Sequence, residues 1–83
     1  MGARLHYFAK PLFQERGRWI AGPPLPFVCA LDAEEGGLIL AKMADGAVVY
    51  QQMADPDFDI WEEPELLAIY GEATAEQVVP DAA

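Results

Sequence analysis

The sequence predicts an α+β domain, a small antiparallel sheet of about three to five strands with one short C-terminal helix packed on it. Three observations carry that reading. Short β-type runs recur through the first 53 residues, glycine and proline pairs separate them, and one helix-like stretch follows an acidic segment near the C-terminus. Eighty-three residues, 53% of them hydrophobic, suffice for one modest core. A single domain is therefore expected over 1–79, with 80–83 as a frayed tail.

The elements are expected in the following order. "RLHYFA" (4–9) reads as an aromatic-rich strand, which Lys10-Pro11 should end unless it lies at an edge. "GRWIAG" (17–22) reads as a short second strand, and Pro23, Pro24 and Pro26 stiffen the connector after it. "FVCALD" (27–32), "LILAKM" (38–43) and "AVVYQQM" (47–53) then read as a three-stranded meander, with Gly36-Gly37 and Asp45-Gly46 in its two gaps. Asp-Gly between apolar runs favours a two-residue type I′ turn, because both turn positions take positive φ. That register sets Met43 opposite Val48, Ala41 opposite Tyr50 and Ile39 opposite Gln52. Both faces of the meander are then apolar, and one of them needs a further cover.

Phe58 and Ile60 alternate with Asp57 and Asp59, the pattern of a short edge strand. "EPELLAIYGEA" (63–73) has the signature of a helix. Pro64 suits its first turn, Glu62, Glu63 and Glu65 complement its N-terminal dipole, and Gly71 suits its stop. Leu66, Ile69 and Tyr70 would share one stripe, flanked by Leu67. Thr74 and Gln77 have capping-box spacing for one more helical turn before Pro80.

Composition excludes several chemistries. The chain has no serine and no asparagine, so a serine nucleophile does not exist. It has neither GxxxxGK[ST] nor GxGxxG, the loops that cradle phosphates. One histidine and one cysteine cannot assemble a Cys/His zinc site, and neither a metal nor a cofactor is expected. There is no run of 18 apolar residues and no signal-peptide core in "MGARLHYFAK", and His6 replaces the Ser or Thr of a myristoylation motif. Together with the lone cysteine, these features lead to the expectation of a cytoplasmic protein away from membranes.

The charge, −9 overall, is uneven. Arg4, Lys10, Arg16 and Arg18 against Glu15 leave the first 18 residues positive. Beyond Lys42 there are ten acids and no Lys or Arg. Direct binding of nucleic acid is not expected of such a molecule, whereas steering toward a basic protein is.

"DPDFDIWEEPE" (55–65) concentrates six of those acids around Phe58, Ile60 and Trp61. Asp55, Asp57 and Asp59 occupy positions 1, 3 and 5 of a calcium-loop pattern. That pattern fails at Ile60 and Leu66, where Gly and Glu are required. A catalytic carboxylate pair would need an apolar pocket such as Trp61 beside Glu62, in a chain too small for a walled cleft. A Cys29–His6 dyad conflicts with the apolar run around Cys29, which suits an inert core thiol. No enzyme is expected.

The remaining reading is a docking surface made by Asp55, Asp57, Asp59, Trp61, Glu62, Glu63 and Glu65. Its carboxylates, if spaced along a strand, would imitate a row of phosphates. At least two of Phe58, Ile60 and Trp61 are expected to be buried whether or not the acids bind a partner, and in the plain alternative the acids are merely solvated. In size and charge the chain resembles the small acidic inhibitors that phages and mobile elements use against host nucleases and defence complexes, and also colicin-type immunity proteins. That resemblance implies a non-catalytic inhibitor of a basic, nucleic-acid-binding partner. The other function to weigh is a phage or homo-oligomeric assembly subunit, a homodimer for example, joined through the second apolar sheet face.

Overall fold

A computed structural model describes residues 2–71. The fold is α+β, with a single antiparallel sheet of six strands and one helix that lies mid-chain rather than at the C-terminal end. Two long hairpins build the sheet. In the first, β1 (Arg4–Glu15) turns back into β2 (Arg18–Ala21) and then β3 (Leu25–Phe27), both paired with β1. The helix α1 (Ala30–Met43) crosses to the second hairpin. There β4 (Gly46–Asp55) returns through a 3₁₀ turn (Pro56–Phe58) into β5 (Ile60–Trp61) and β6 (Glu65–Gly71), both paired with β4. β1 and β4 lie side by side at the centre, in register from Arg4↔Ala54 to Leu12↔Gly46.

Each return strand is broken at a proline-containing segment. Residues Gly22–Pro24 fall opposite Lys10–Pro11, where β1 offers the neighbouring strand one donor fewer because proline has no N–H. Gly22 N–H still donates to the Pro11 carbonyl at 2.9 Å. A Cβ at Gly22 would lie 2.7 Å from Pro11 Cγ, so only glycine fits this approach. Lys10-Pro11 therefore does not end the strand. β1 continues to Glu15, and the break passes to its partner.

The expected meander is the main correction. Only 47–53 is a strand, within β4. "FVCALD" splits, with Phe27 closing β3 and Cys29 capping the helix, while "LILAKM" forms the C-terminal half of α1. Val48, Tyr50 and Gln52 face Lys10, Phe8 and His6 across the sheet, not residues 39–43. Asp45-Gly46 is a helix-to-strand junction, and Gly46 has no positive φ. Asp45 ties that junction to the first hairpin. Its N–H donates to the Leu12 carbonyl at 3.0 Å, and its Oδ2 accepts from Gln14 N–H at 2.6 Å. The two-residue turn with positive φ at both positions occurs instead at Arg16 (φ 53°) and Gly17 (φ 78°).

Gly36 and Gly37 stand inside the helix, at a propensity cost of about 1 kcal/mol each relative to alanine. Tertiary contact outweighs it. A Cβ at Gly37 would lie 2.5 Å from Val49 Cγ2 and 3.1 Å from Tyr70 Cε2, and one at Gly36 would strike the Phe27 ring. The bare backbone lets α1 settle close to the sheet. Ala9, Ala33 and Val49 form the buried centre of that layer, with Tyr7, Phe27, Leu40, Leu67, Ala68 and Tyr70 around them.

The helix expected over 63–73 is strand β6 as far as Gly71. A bulge explains the misreading. Leu66 pairs with Tyr50 and Ala68 with Val49, so Leu67 is an extra residue and the two-residue alternation slips. The slip puts apolar residues at 66, 69 and 70, which is also helical spacing. The helical turn expected at Thr74–Gln77 and the tail at 80–83 lie outside the described residues. Among the described residues no helix is long and apolar enough to cross a membrane.

Candidate protein-docking site

The acidic segment forms the turn and return edge of the second hairpin. β4 ends at Asp55, Pro56 starts the 3₁₀ turn, and Asp59 closes it in the left-handed region (φ 54°, ψ 39°), its N–H donating to the Pro56 carbonyl at 3.2 Å. Aspartate tolerates that conformation better than most side chains. Ile60 and Trp61 then pair with Asp55 and Ala54. Glu62 N–H bonds the Met53 carbonyl at 2.9 Å, while Gln52 Nε2 donates to the Glu62 carbonyl at 2.7 Å. Gln51 Nε2 donates to Glu65 Oε1 at 3.2 Å where β6 begins.

All three large apolar residues of the segment are exposed: Phe58 at 71%, Ile60 at 55% and Trp61 at 46%. The expectation that at least two are buried is overturned. The helix packs on β1, β3, β4 and β6, and β5 with its turn extends past that layer. Asp57, Asp59, Glu62, Glu63 and Glu65 are exposed around the apolar trio. Asp55 differs. It is half-buried, and its Oδ1 is buried without a hydrogen-bond partner. Because Asp57 sits in the 3₁₀ turn and Asp59 is left-handed, Asp55, Asp57 and Asp59 do not form an extended row with the pitch of a phosphate backbone. They cluster around a tip.

The other candidates separate. Cys29 is exposed at the helix N-cap, its Sγ accepting from Asp32 N–H at 3.5 Å, so it is not a core thiol. His6 lies on the opposite face of the sheet from the helix, beside Trp61, with ring centroids 5.5 Å apart. The sheet stands between the members of the supposed dyad. Glu62 is exposed, and among the described residues it is engaged through its backbone. Among the described residues no group of three His, Cys, Asp or Glu side chains is placed to hold a metal ion.

A second feature was not legible in the sequence. On the face away from α1, Phe8 stacks on Tyr50 at 5.2 Å, Trp61 stands 6.5 Å from Phe8, and Lys10 Nζ lies 5.5 Å from the Tyr50 ring centre. Trp19 and Ile69 continue the surface around buried Leu12 and Val48. Burial pushes the Tyr50 hydroxyl above its ordinary pKa of 10.0. Alternation in "RLHYFAK" hinted at a His6–Phe8 face. The non-local pairing of β1 with β4 was needed to bring Tyr50 beside it.

No family model, curated protein or solved structure matches this chain.

Proposed function

We propose that this chain is a non-catalytic, acidic protein-binding module that docks its 55–65 turn onto a basic partner and thereby antagonises it. The observation that carries the reading is the exposure of Phe58, Ile60 and Trp61 in a segment whose Asp57, Asp59, Glu62, Glu63 and Glu65 are exposed as well. An aromatic anchor contributes desolvated contact area, and flanking charges accelerate encounter and select partners of opposite sign. A compact acidic tip suits a basic cleft better than it suits an extended groove. A partner that handles nucleic acid would present such a cleft, lined with Lys and Arg.

The experiment uses the full chain as bait and compares variants against any partner retained through a salt wash. Asp59→Asn, Glu62→Gln and Glu63→Gln together should leave the fold intact, slow association and flatten its salt dependence. Phe58→Ala should cost less than about 0.5 kcal/mol of stability, and Trp61→Ala about 1 kcal/mol, while both accelerate dissociation. Retention of full affinity and salt dependence by the triple variant would reduce the acids to a solubilising surface and sink the proposal.

A further inference from the structure

The two outer edges of the sheet are protected differently. On the β1 side, β2 and β3 span four and three residues, are parted by Gly22–Pro24, and include Pro26. Short strands and prolines deny an incoming strand a continuous ladder. On the β4 side, β6 runs for seven residues with no proline and no Lys or Arg, and a bulge at Leu67 is its one irregularity. It pairs with β4, and among the described residues no strand lies along its outer edge. A strand with one partner leaves alternate N–H and C=O groups pointing outward as a template. Charge along this edge has one sign. From Ile60 to Gly71 every charged residue is a carboxylate: Glu62, Glu63 and Glu65, all exposed and all at the N-terminal end of β6. The rest of the strand, Leu66 to Tyr70, is apolar.

We infer that β6 takes up an extended, basic segment of the partner protein as an added antiparallel strand. The pairing presupposes the basic partner proposed above and adds the place where its chain runs. Antiparallel pairing is the slightly stronger ladder, and it fixes the order of the segment. Apolar or β-branched residues come first, along Gly71 to Leu66, and Lys or Arg follow beside Glu65, Glu63 and Glu62. Main-chain hydrogen bonds then supply affinity, and the order of side chains supplies selectivity. Charge sets aside the other strands that could lie there. The β6 of a second copy brings no cation, because no Lys or Arg follows Lys42, and residues 72–83 bring only Glu72, Glu76 and Asp81 as charged side chains. A nucleic-acid strand has no amide ladder to offer and meets carboxylates.

The probe is a short synthetic peptide of alternating valine and threonine that ends in lysines, titrated against the full chain at low salt by fluorescence anisotropy. Two further versions carry N-methyl groups on one or the other set of alternate amides in the valine–threonine half. One should bind like the parent peptide and the other roughly tenfold or more weakly, because only one set of N–H groups faces β6. The same peptide with its lysines placed first should bind several-fold more weakly. Glu62→Lys with Glu63→Lys changes only exposed side chains, so circular dichroism should stay unchanged while preference passes to a peptide ending in glutamates. Equal affinity of the two methylated peptides overturns the pairing, and so does indifference to where the lysines stand. Neither result touches the docking reading, which fails separately if the triple variant above keeps full, salt-dependent affinity for its partner. Absence of binding by every peptide also overturns the pairing, as when a second copy or residues 72–83 already hold the edge.

Discussion

The two hairpins are close architectural relatives with opposite surface chemistry. Each has a long central strand and a return strand broken at a proline-containing segment, and each places one partner against the helix glycines. The first reverses in two residues, Arg16 and Gly17, with cationic side chains and no apolar residue at the turn. The second takes four residues, Pro56 to Asp59, and leaves Phe58, Ile60 and Trp61 in solvent. A reversal needs only the shorter solution. The longer turn leaves Phe58 and Ile60 mostly in solvent and Trp61 only partly covered, beside His6 and Phe8, which is why the docking reading attaches to the second hairpin.

The largest expected effect tests how differently the helix seats on the two hairpins. Gly37 approaches Val49, which is fully buried and cannot yield, whereas Gly36 approaches the half-buried ring of Phe27, which can swing outward. Gly37→Val should cost about 2–3 kcal/mol through overpacking. Thermal unfolding would read this as a Tm lowered by roughly 10–20 °C in a domain of this size. Gly36→Val should cost about half as much. Equal losses would mean that the helix is docked on both hairpins alike.

Next come the turns. Gly17 has φ 78° with no atom within 4 Å of a built Cβ, so Gly17→Val is penalised by backbone conformation alone, at about 1–2 kcal/mol. Asp59→Gly at φ 54° should be neutral or stabilising by a few tenths of a kcal/mol. Urea unfolding of the pair checks both signs. A Gly17→Val variant as stable as the parent would contradict the turn geometry.

The smallest effect falls between the hairpins, at the helix start. Cys29→Ser replaces a weak sulfur cap by an oxygen acceptor and should stabilise by a few tenths of a kcal/mol, up to about 1. The native thiol, being exposed, should react with a maleimide without denaturant. Protection of the native thiol would place Cys29 in the core after all.

Legibility in the sequence tracks how local each decision is. "AVVYQQM" was readable as a strand because β4 is central and apolar on both faces. The strand segments at 4–9, in central β1, and at 17–22, around β2, were readable because alternation and flanking turn residues are short-range signals. The acidic segment was visible as composition, but exposure of its apolar trio depends on where the helix layer ends. The aromatic face away from the helix needed the pairing of Phe8 with Tyr50, 42 positions apart in the chain.

By itself the sequence determined an α+β composition, the apolar run of β4, the lack of a serine nucleophile and the charge gradient along the chain. Those depend on residue type and nearest neighbours. The tertiary structure decided that 30–43 is a helix despite its glycine pair, that 65–71 is a bulged strand despite its helical spacing, and that the tight turn lies at Arg16-Gly17 rather than Asp45-Gly46. In each case local preference differs between alternatives by about 1 kcal/mol per residue or less. Seating the helix on Val49, Phe27 and Tyr70 and closing the β1–β4 ladder involve many contacts at once, and their sum outweighs that margin.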